Sequence, residues 1–168
     1  AEIEMLHAQL KEEAVRDGLT RLFNRKYMKE TLEREIAQVK RENGVLSIVM
    51  MDVDRFKQIN EGFGYQVGDD ILQTLGKLLL EHTRLGDVAC RYGGDEVVVV
   101  LPGANLSQSQ QRAEEWRDLF SQLEFHVDGR AAIRTTLSMG VASFPAHATN
   151  CAGLLFAADK ALYQSKMN

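Results

Sequence analysis

The sequence has only two cysteines and no long hydrophobic run. Cys90 and Cys151 lie far apart, match no metal-ligand spacing and have no partners for a disulfide framework, so we expect a reducing, cytoplasmic compartment. The longest apolar stretches, residues 45–51 and 97–101, are far shorter than the roughly 20 residues that cross a bilayer. The amino terminus does not resemble a signal peptide. These absences predict a domain without direct membrane contact, either of a cytoplasmic protein or in the cytoplasmic portion of a larger, membrane-anchored one.

An excess of positive charge is also absent. The 20 Lys and Arg residues against 24 Asp and Glu residues give a formal net charge of −4. The chain therefore lacks the general attraction to phosphate that drives binding to nucleic-acid polymers. With 45% hydrophobic and 26% charged residues, the composition is that of a globular protein and excludes global disorder. The 168 residues suffice for one domain and a short appendage.

The appendage is predicted to be residues 1–16, a charged segment in which Ile3, Leu6 and Leu10 have helical spacing. This spacing is that of a coiled-coil seam, but it lasts less than two heptads. Two interpretations stay open: a solvated helix that frays, or the end of a longer signalling helix. Because the chain begins within this helix without a methionine, we expect an excised piece of a longer protein.

The remaining periodicities predict an α+β fold in residues 17–168. Helical spacing of apolar residues predicts helices over residues 24–40, from the glycines at 62, 64 and 68 to about residue 84, around residues 113–120, and after Asn150, the expected N-cap. Strands are predicted over residues 45–53, 88–92, 97–101, 125–127 and 133–142. This order predicts a ferredoxin-like β-α-β-β-α-β core, in which helices flank a mostly antiparallel sheet.

Asp52 lies near the end of the apolar strand predicted over residues 45–53, and Asp54 follows it. An ionised carboxylate in such a strand is unfavourable unless a cation, a metal or hydrogen-bond donors compensate it. The alternative is that Asp52 lies at the solvent-exposed end of the strand and that Asp54 caps the next helix.

A hairpin is predicted around Gly93-Gly94-Asp95-Glu96. Two β-prone runs beside a Gly-Gly pair favour a primed turn, for which glycine supplies the positive φ. The turn would place Asp95 and Glu96 at the tip of a strand, where a phosphate can approach the backbone. Together with Asp52, these carboxylates form an oxygen-only cluster of the kind that binds Mg²⁺. A solvated acidic turn is the alternative.

Residues 55–69 lie between these carboxylates and suit a nucleotide. Backbone amides at the start of a short helix bind phosphate, and Lys57 adds a positive charge. Asn60 and Asp69 carry functional groups that can recognise the edge of a guanine. The alternatives are turn chemistry for both residues and a helix N-cap for Asp69.

The motifs together resemble those of the bacterial GGDEF-domain diguanylate cyclases. The resemblance covers residues 17–168 and rests on DGLTRLFNR (17–25), DVDRFKQIN (52–60), GYQVGD (64–69), RYGGDE (91–96), TLSMG (136–140) and ADKALYQSK (158–166). It implies a fold akin to that of nucleotidyl cyclases and polymerase palms. It also implies condensation of two GTP molecules into cyclic di-GMP with release of two pyrophosphates.

The resemblance implies a role for each matching residue. Mg²⁺, or Mn²⁺ in its place, would be held by Asp52, the Val53 carbonyl and Asp95, while Glu96 would hold a second metal ion or help to deprotonate the attacking 3′-hydroxyl. Asp95 and Glu96 would be catalytic, and which of them is the closer ligand or the base stays open. The remaining contacts to GTP would come from Phe56, Lys57, Asn60, Asp69, Gly93, Gly94 and Lys166. Each domain would hold one GTP, so activity would require a homodimer, governed by an upstream sensory domain.

Arg84 and Asp87 match the family's Arg-x-x-Asp site for inhibition by the product. An arginine fork can bind phosphate or guanine, and Arg117 of the next predicted helix is a candidate to join it. The alternative is a surface ion pair of little energetic value.

The sequence departs from the family pattern at several positions. Val97 stands where phenylalanine is usual, Tyr65 where histidine is usual and Glu61 where aspartate is usual. The chain ends at Asn168, before the Gly-Arg-Asn that commonly follows, so a phosphate-binding arginine is expected to be missing. Two further hypotheses are a catalytically weak or inactive module that binds GTP or cyclic di-GMP as a sensor, and another nucleotidyl transferase on the same fold.

Overall fold

The computed structural model describes all residues from Ala1 to Asn168. Its elements in chain order are α1 (Glu2–Val15), α2 (Arg25–Glu42), β1 (Leu46–Val53), α3 (Phe56–Phe63), α4 (Tyr65–His82), β2 (Val88–Arg91), β3 (Glu96–Pro102), α5 (Leu106–Ser121), β4 (Leu137–Phe144) and α6 (Cys151–Met167). None of these helices has both the length and the apolar character needed to cross a membrane.

The four strands form one sheet in the order β2-β3-β1-β4, and all neighbouring strands are antiparallel. This topology confirms the predicted α+β, ferredoxin-like arrangement. All residues of the inner strand β1 are buried, as its apolar run predicted. The reason is that helices cover both faces of the sheet.

Because side chains alternate along a strand, β1 contributes to two separate cores. Val49 and Met51 pack with residues of α4 and α5, including the buried Trp116. Ile48 and Met50 pack on the other face with residues of α2 and α6. The even-numbered residues of β1 therefore lie on the α2/α6 face, and Asp52 is the last of them.

Asparagine side chains cap the first turns of α2 and α6. The Asn24 side chain accepts a hydrogen bond from the Tyr27 N–H at 3.0 Å and starts α2. The Asn150 side chain does the same for the Gly153 N–H at 2.7 Å and starts α6, as predicted. Helix α1 forms too, but it has no buried residue, and the predicted seam of Ile3, Leu6 and Leu10 is exposed.

The glycine-rich segment differs from the prediction. Gly62 lies inside α3 and Gly68 inside α4, so neither breaks the chain. The break lies at Gly64, whose φ of 98° is in the region that favours glycine.

The connection between β2 and β3 is also not the primed turn that the Gly-Gly pair predicted. Gly93 and Gly94 do not have positive φ. The Tyr92 and Gly93 N–H groups both donate to the Glu96 carbonyl, at 2.8 and 3.2 Å, and close a wider turn. Glu96 is consequently the first residue of β3, not part of the turn.

The strands predicted over residues 125–127 and 133–142 are only partly present. Phe125 and Ile133 form a single bridge with two hydrogen bonds of 2.9 Å. The Arg130 N–H donates to the Val127 carbonyl at 3.1 Å and closes a turn, which prevents further pairing. The regular strand β4 begins only at Leu137.

Candidate active site

Asp52 carries the buried carboxylate at the centre of the site. Its side chain is 6% exposed, so a solvent-exposed strand end is the wrong interpretation. Its Oδ2 accepts a hydrogen bond from the Lys166 ammonium of α6, while its Oδ1 has no partner. A buried carboxylate oxygen without a partner is unfavourable. It therefore marks a position where a further cation would be stabilised.

The pKa values of this pair show which effect dominates at each group. Burial raises the pKa of Asp52, the Lys166 hydrogen bond and charge lower it only in part, and Asp95 and Asp54 raise it further. Burial acts to lower the pKa of Lys166, but the hydrogen bond and charge of Asp52, with Asp95 and Asp54, outweigh it and raise that pKa. Lys166 is 45% exposed and so loses less hydration than Asp52 does.

Glu96 lies directly opposite Asp52 in the β1–β3 register. Side chains of directly opposed residues lie on the same face of an antiparallel pair. Burial, and then the charges of Asp159, Asp52 and Asp95, raise the pKa of Glu96. Asp159 is an acidic neighbour that the sequence analysis did not single out; its only signal was its place in the motif at residues 158–166. The acidic cluster thus draws on the end of β1, the β2–β3 turn, the start of β3 and α6.

The residues present fit a metal ion whose coordination shell is completed by ligands from outside the protein. No three His, Cys, Asp or Glu side chains are arranged to hold an ion by themselves. Mg²⁺ usually takes one or two protein carboxylates and completes its shell with water and substrate phosphates. The unpartnered Oδ1 of Asp52, close enough to Asp95 and Glu96 for their charges to interact, is the donor chemistry that this hard cation prefers.

Asp54 does not cap α3. The N-cap is Arg55, with a φ of 58° and no side-chain cap. The two carboxylate oxygens of Asp54 instead accept hydrogen bonds from the hydroxyls of Thr136 and Ser138. Asp54 therefore ties the end of β1 to the start of β4.

A cavity of about 830 Å³ lies between α3, the start of β4 and the end of α6. Its polar lining includes Asp54, Arg55, Thr136 and Lys166. Since Lys166 also contacts Asp52, the cavity adjoins the acidic cluster. The other residues expected near phosphate, Phe56 and Lys57 in the first turn of α3 and Gly93 and Gly94 in the hairpin, do not line it.

Asn60 and Asp69 lie on α3 and α4, on opposite sides of the break at Gly64. The Asn60 Oδ1 is buried without a partner, and a Cβ built on Gly68 would lie 1.8 Å from it. Asn60 thus occupies the space that the missing Gly68 side chain leaves. Asp69 is exposed and lies within the second turn of α4, so the alternative of an N-cap is wrong.

Arg91 anchors the hairpin that carries Asp95 and Glu96. Its guanidinium donates to the Gly94 carbonyl at 2.8 and 3.2 Å and to both Asp17 oxygens at 3.3 Å. Burial acts to raise the pKa of Asp17, but hydrogen bonds from Thr20 and the charge of Arg91 outweigh it and lower that pKa. Asp17, the first residue of the motif at 17–25, therefore holds Arg91, and Arg91 in turn holds the hairpin through the Gly94 carbonyl.

Arg84 and Asp87 form the turn between α4 and β2, away from the acidic cluster. Their side chains do not pair with each other, so the surface ion pair is the wrong interpretation. Asp87 pairs with Arg112 at 3.0 Å instead. Arg117, the expected additional arginine, pairs with Glu114 on the exposed side of α5.

The sequence matches a known protein family over most of its length. Residues 14–168 match the family model described as "Diguanylate cyclase, GGDEF domain". The chain therefore belongs to the GGDEF domain family of diguanylate cyclases, whose members generally depend on a metal ion.

Two curated relatives and two crystal structures show the extent of the similarity. Diguanylate cyclase DosC of Escherichia coli K12 is 34% identical over 97% of this chain and 35% of its own length. Response regulator PleD of Caulobacter vibrioides is 36% identical over 91% of this chain and 34% of its own. This chain thus spans about a third of the length of these relatives.

The crystal structure of the coiled coil and GGDEF domain of DgcB from Caulobacter crescentus in complex with c-di-GMP superposes with a TM-score of 0.89 at 28% identity, covering 99% of this chain and 89% of that one. Diguanylate cyclase SiaD of Pseudomonas aeruginosa, in complex with its activator SiaC, has a TM-score of 0.88 at 31% identity, covering 99% of this chain and 63% of SiaD.

Proposed function

We propose that this chain is a diguanylate cyclase domain that condenses two GTP molecules into cyclic di-GMP and releases two pyrophosphates. The observation that carries the proposal is the buried Asp52, whose Oδ1 has no partner and which lies opposite Glu96 in the sheet. Family membership supports the same reaction, because the relative DosC is named a diguanylate cyclase and DgcB binds c-di-GMP.

We propose that Mg²⁺, or Mn²⁺ in its place, is held by Asp52, the Val53 carbonyl and the carboxylates of Asp95 and Glu96, together with the GTP phosphates. Bound there, the ion would neutralise charge at the reacting phosphate and lower the pKa of the attacking hydroxyl. Either Asp95 or Glu96 would accept the proton of that 3′-hydroxyl as general base. In the metal-free protein, burial and neighbouring carboxylates raise the pKa of Glu96.

The remaining residues position the substrate. Lys166 and Lys57 attract the triphosphate, with Phe56 and the backbone at Gly93 and Gly94 beside it. Asn60 and Asp69 hold the guanine through hydrogen bonds. Val97 is buried in the core on the α4/α5 face, opposite to the face of Asp52. Its departure from the family pattern therefore removes no group from the site.

Each domain provides one binding site, so two domains must meet for the two GTP molecules to react. We assign residues 17–168 to the catalytic domain and residues 1–16 to a helical linker from an upstream sensory domain, in the cytoplasm. The exposed seam of α1 suits pairing with a second copy. We assign inhibition by the product to Arg84 and Asp87.

The test is turnover of GTP by the protein at high concentration, with products separated by chromatography. Wild type with Mg²⁺ is expected to form cyclic di-GMP, and chelation of the metal is expected to stop it. Asp95→Ala should abolish turnover, whereas Asp118→Asn, on the exposed side of α5, should not. Unchanged turnover in Asp95→Ala would refute the proposed site. Nucleotide binding without turnover in a forced dimer would favour the sensing module instead.

A further inference from the structure

The turn at residues 83–87 is closed by its own aspartate. The Arg84 N–H donates to Asp87 Oδ2 at 2.8 Å, and the Asp87 N–H donates to the Arg84 carbonyl at 3.0 Å. Gly86, with a φ of 97°, permits this path of the chain. The Arg84 guanidinium is exposed and takes no part in these contacts.

Arg112 of α5 reaches across to this turn. Its Nη2 donates to Asp87 Oδ2 at 3.0 Å and to the His82 carbonyl at 3.2 Å. Its guanidinium lies 5.1 Å from the centre of the Trp116 ring, and the Trp116 indole N–H donates to the same His82 carbonyl at 3.3 Å. The end of α4 and the turn are therefore both held to α5.

The Arg112–Asp87 pair is largely removed from water. The two side chains are 11% and 8% exposed. Asp87 Oδ2 is saturated by two donors, which fixes the plane of the carboxylate, whereas its Oδ1 has no hydrogen-bond partner. An ion pair with such geometry holds one orientation, unlike a solvated surface pair.

This arrangement borders a polar cavity of about 700 Å³. Arg84, Asp87 and Arg112 all line it, together with Gln108 and Gln111 of α5. Because Arg112 neutralises Asp87, Arg84 is not drawn into an internal pair and its charge stays free. The cavity therefore offers one free guanidinium and one oriented carboxylate oxygen.

We propose that Arg112 is a positioning residue of this cavity. It holds Asp87 in the orientation in which its free Oδ1 can accept an N–H donor of a guanine base, and it leaves Arg84 free to bind phosphate. The ligand is a guanine nucleotide, and the inference rests on the proposed function in taking cyclic di-GMP, the product, as that nucleotide. Arg112 acts through Asp87 and need not touch the ligand.

The experiment measures binding of cyclic di-GMP by calorimetry to wild type and to Arg112→Met, Arg112→Lys and Arg117→Met. Arg117 is the matched control, because it is an arginine of the same helix that pairs with Glu114 and not with Asp87. We expect Arg112→Met to weaken binding at least about tenfold, as loss of one charge-assisted contact allows. Arg112→Lys should lose less, because it keeps the charge without the planar fork. Arg117→Met should bind as wild type does.

A double-mutant cycle separates positioning from general damage to the fold. In an Asp87→Asn background, Arg112→Met should weaken binding little further, because its effect passes through Asp87. An equal loss in both backgrounds, or wild-type affinity in Arg112→Met, would overturn the inference. If Arg112→Met does not fold, as judged by circular dichroism, Arg112→Lys decides by the same criteria.

The assay also distinguishes this inference from the proposed function. If the wild type binds cyclic di-GMP but does not turn over GTP, the proposed reaction is refuted, whereas the role of Arg112 in binding can still be tested with the same variants. A wild type that forms cyclic di-GMP but does not bind it at this cavity would overturn the inference alone.

Discussion

Replacement of Asp52 by asparagine is expected to stabilise the fold while it destroys the proposed metal site. Folding buries Asp52 and brings Asp95 and Asp54 near it, and these effects outweigh the Lys166 ion pair, so the folded-state pKa is raised. A raised pKa means that the folded protein binds this proton more tightly than the unfolded chain does. At neutral pH the ionised carboxylate therefore opposes folding. Asparagine has nearly the same shape as aspartate but carries no charge, so it avoids the cost of burying the ionised carboxylate.

The expected gain in the free energy of unfolding is about 1 kcal/mol at neutral pH, the size typical of relieving an unfavourable functional residue. For a domain of this length it corresponds to a rise in Tm of about 2–4 °C. Loss of the ion pair with Lys166 reduces this gain only slightly, because the Lys166 side chain is 45% exposed and solvent can hydrate its ammonium group when the pair is absent. The gain should vanish as the pH falls toward the ordinary aspartate pKa of 3.8, since Asp52 of the wild type is then protonated in the folded state.

Urea unfolding of metal-free protein, followed by circular dichroism at several pH values, measures this difference. Asp54→Asn is the matched control. Asp54 accepts hydrogen bonds from Thr136 and Ser138, so its replacement should lower the free energy of unfolding by about 1–2 kcal/mol. The two neighbouring substitutions thus have opposite signs. If Asp52→Asn also destabilised the protein at neutral pH, the Lys166 pair would outweigh burial and the reasoning would be wrong.

Three further substitutions test the packing around the site. Gly140→Ala would place a Cβ 2.2 Å from a backbone carbonyl of α6; we expect a loss of about 3 kcal/mol in urea unfolding, and a neutral result would contradict the close approach of α6 to β4. Gly68→Ala would place a Cβ 1.8 Å from Asn60 Oδ1, so KM for GTP should rise more than kcat falls; an unchanged KM would separate Asn60 from guanine binding. Asp17→Asn should lower the free energy of unfolding by about 1 kcal/mol at neutral pH, because hydrogen bonds and Arg91 outweigh burial and lower the folded-state pKa. That loss should disappear as the pH falls from 3.8 through the lower folded-state value, and a loss independent of pH would contradict it.

Much of the fold could be predicted because its signals are local. The apolar run at residues 45–53 could be buried only between two layers, and β1 lies there. Asn24 and Asn150 start their helices through hydrogen bonds to residues three positions ahead. Such patterns depend on residues close to each other in sequence, so they can be recognised without knowledge of the tertiary structure.

Turn geometry was predicted less well. The Gly-Gly pair favoured a primed turn, but the hydrogen bonds of Tyr92 and Gly93 to Glu96 close a different one. Arg91 forms an ion pair with Asp17, which is distant in sequence, and also donates a hydrogen bond to the Gly94 carbonyl. Distant contacts therefore override the local preference of glycine.

The site itself depends on contacts between distant segments. The sequence motifs identify Asp52, Glu96 and Lys166 as separate candidate site residues. Only the β1–β3 register and the packing of α6 bring these residues together. The choice of Arg112 over Arg117 has the same origin: both are on α5, and the direction in which the helix packs decides which one reaches Asp87.

By itself, the sequence determined most of the order of helices and strands, the α+β class and the residue types available for nucleotide and metal chemistry, because periodicity, capping and motif spacing act over short distances along the chain. Only the tertiary structure decided that one oxygen of Asp52 is left without a partner, that Asn60 occupies the space beside Gly68, and that Asp87 is held by Arg112. Burial, charge interaction and side-chain contact are properties of positions in space, and they exist only once the sheet and its covering helices have assembled.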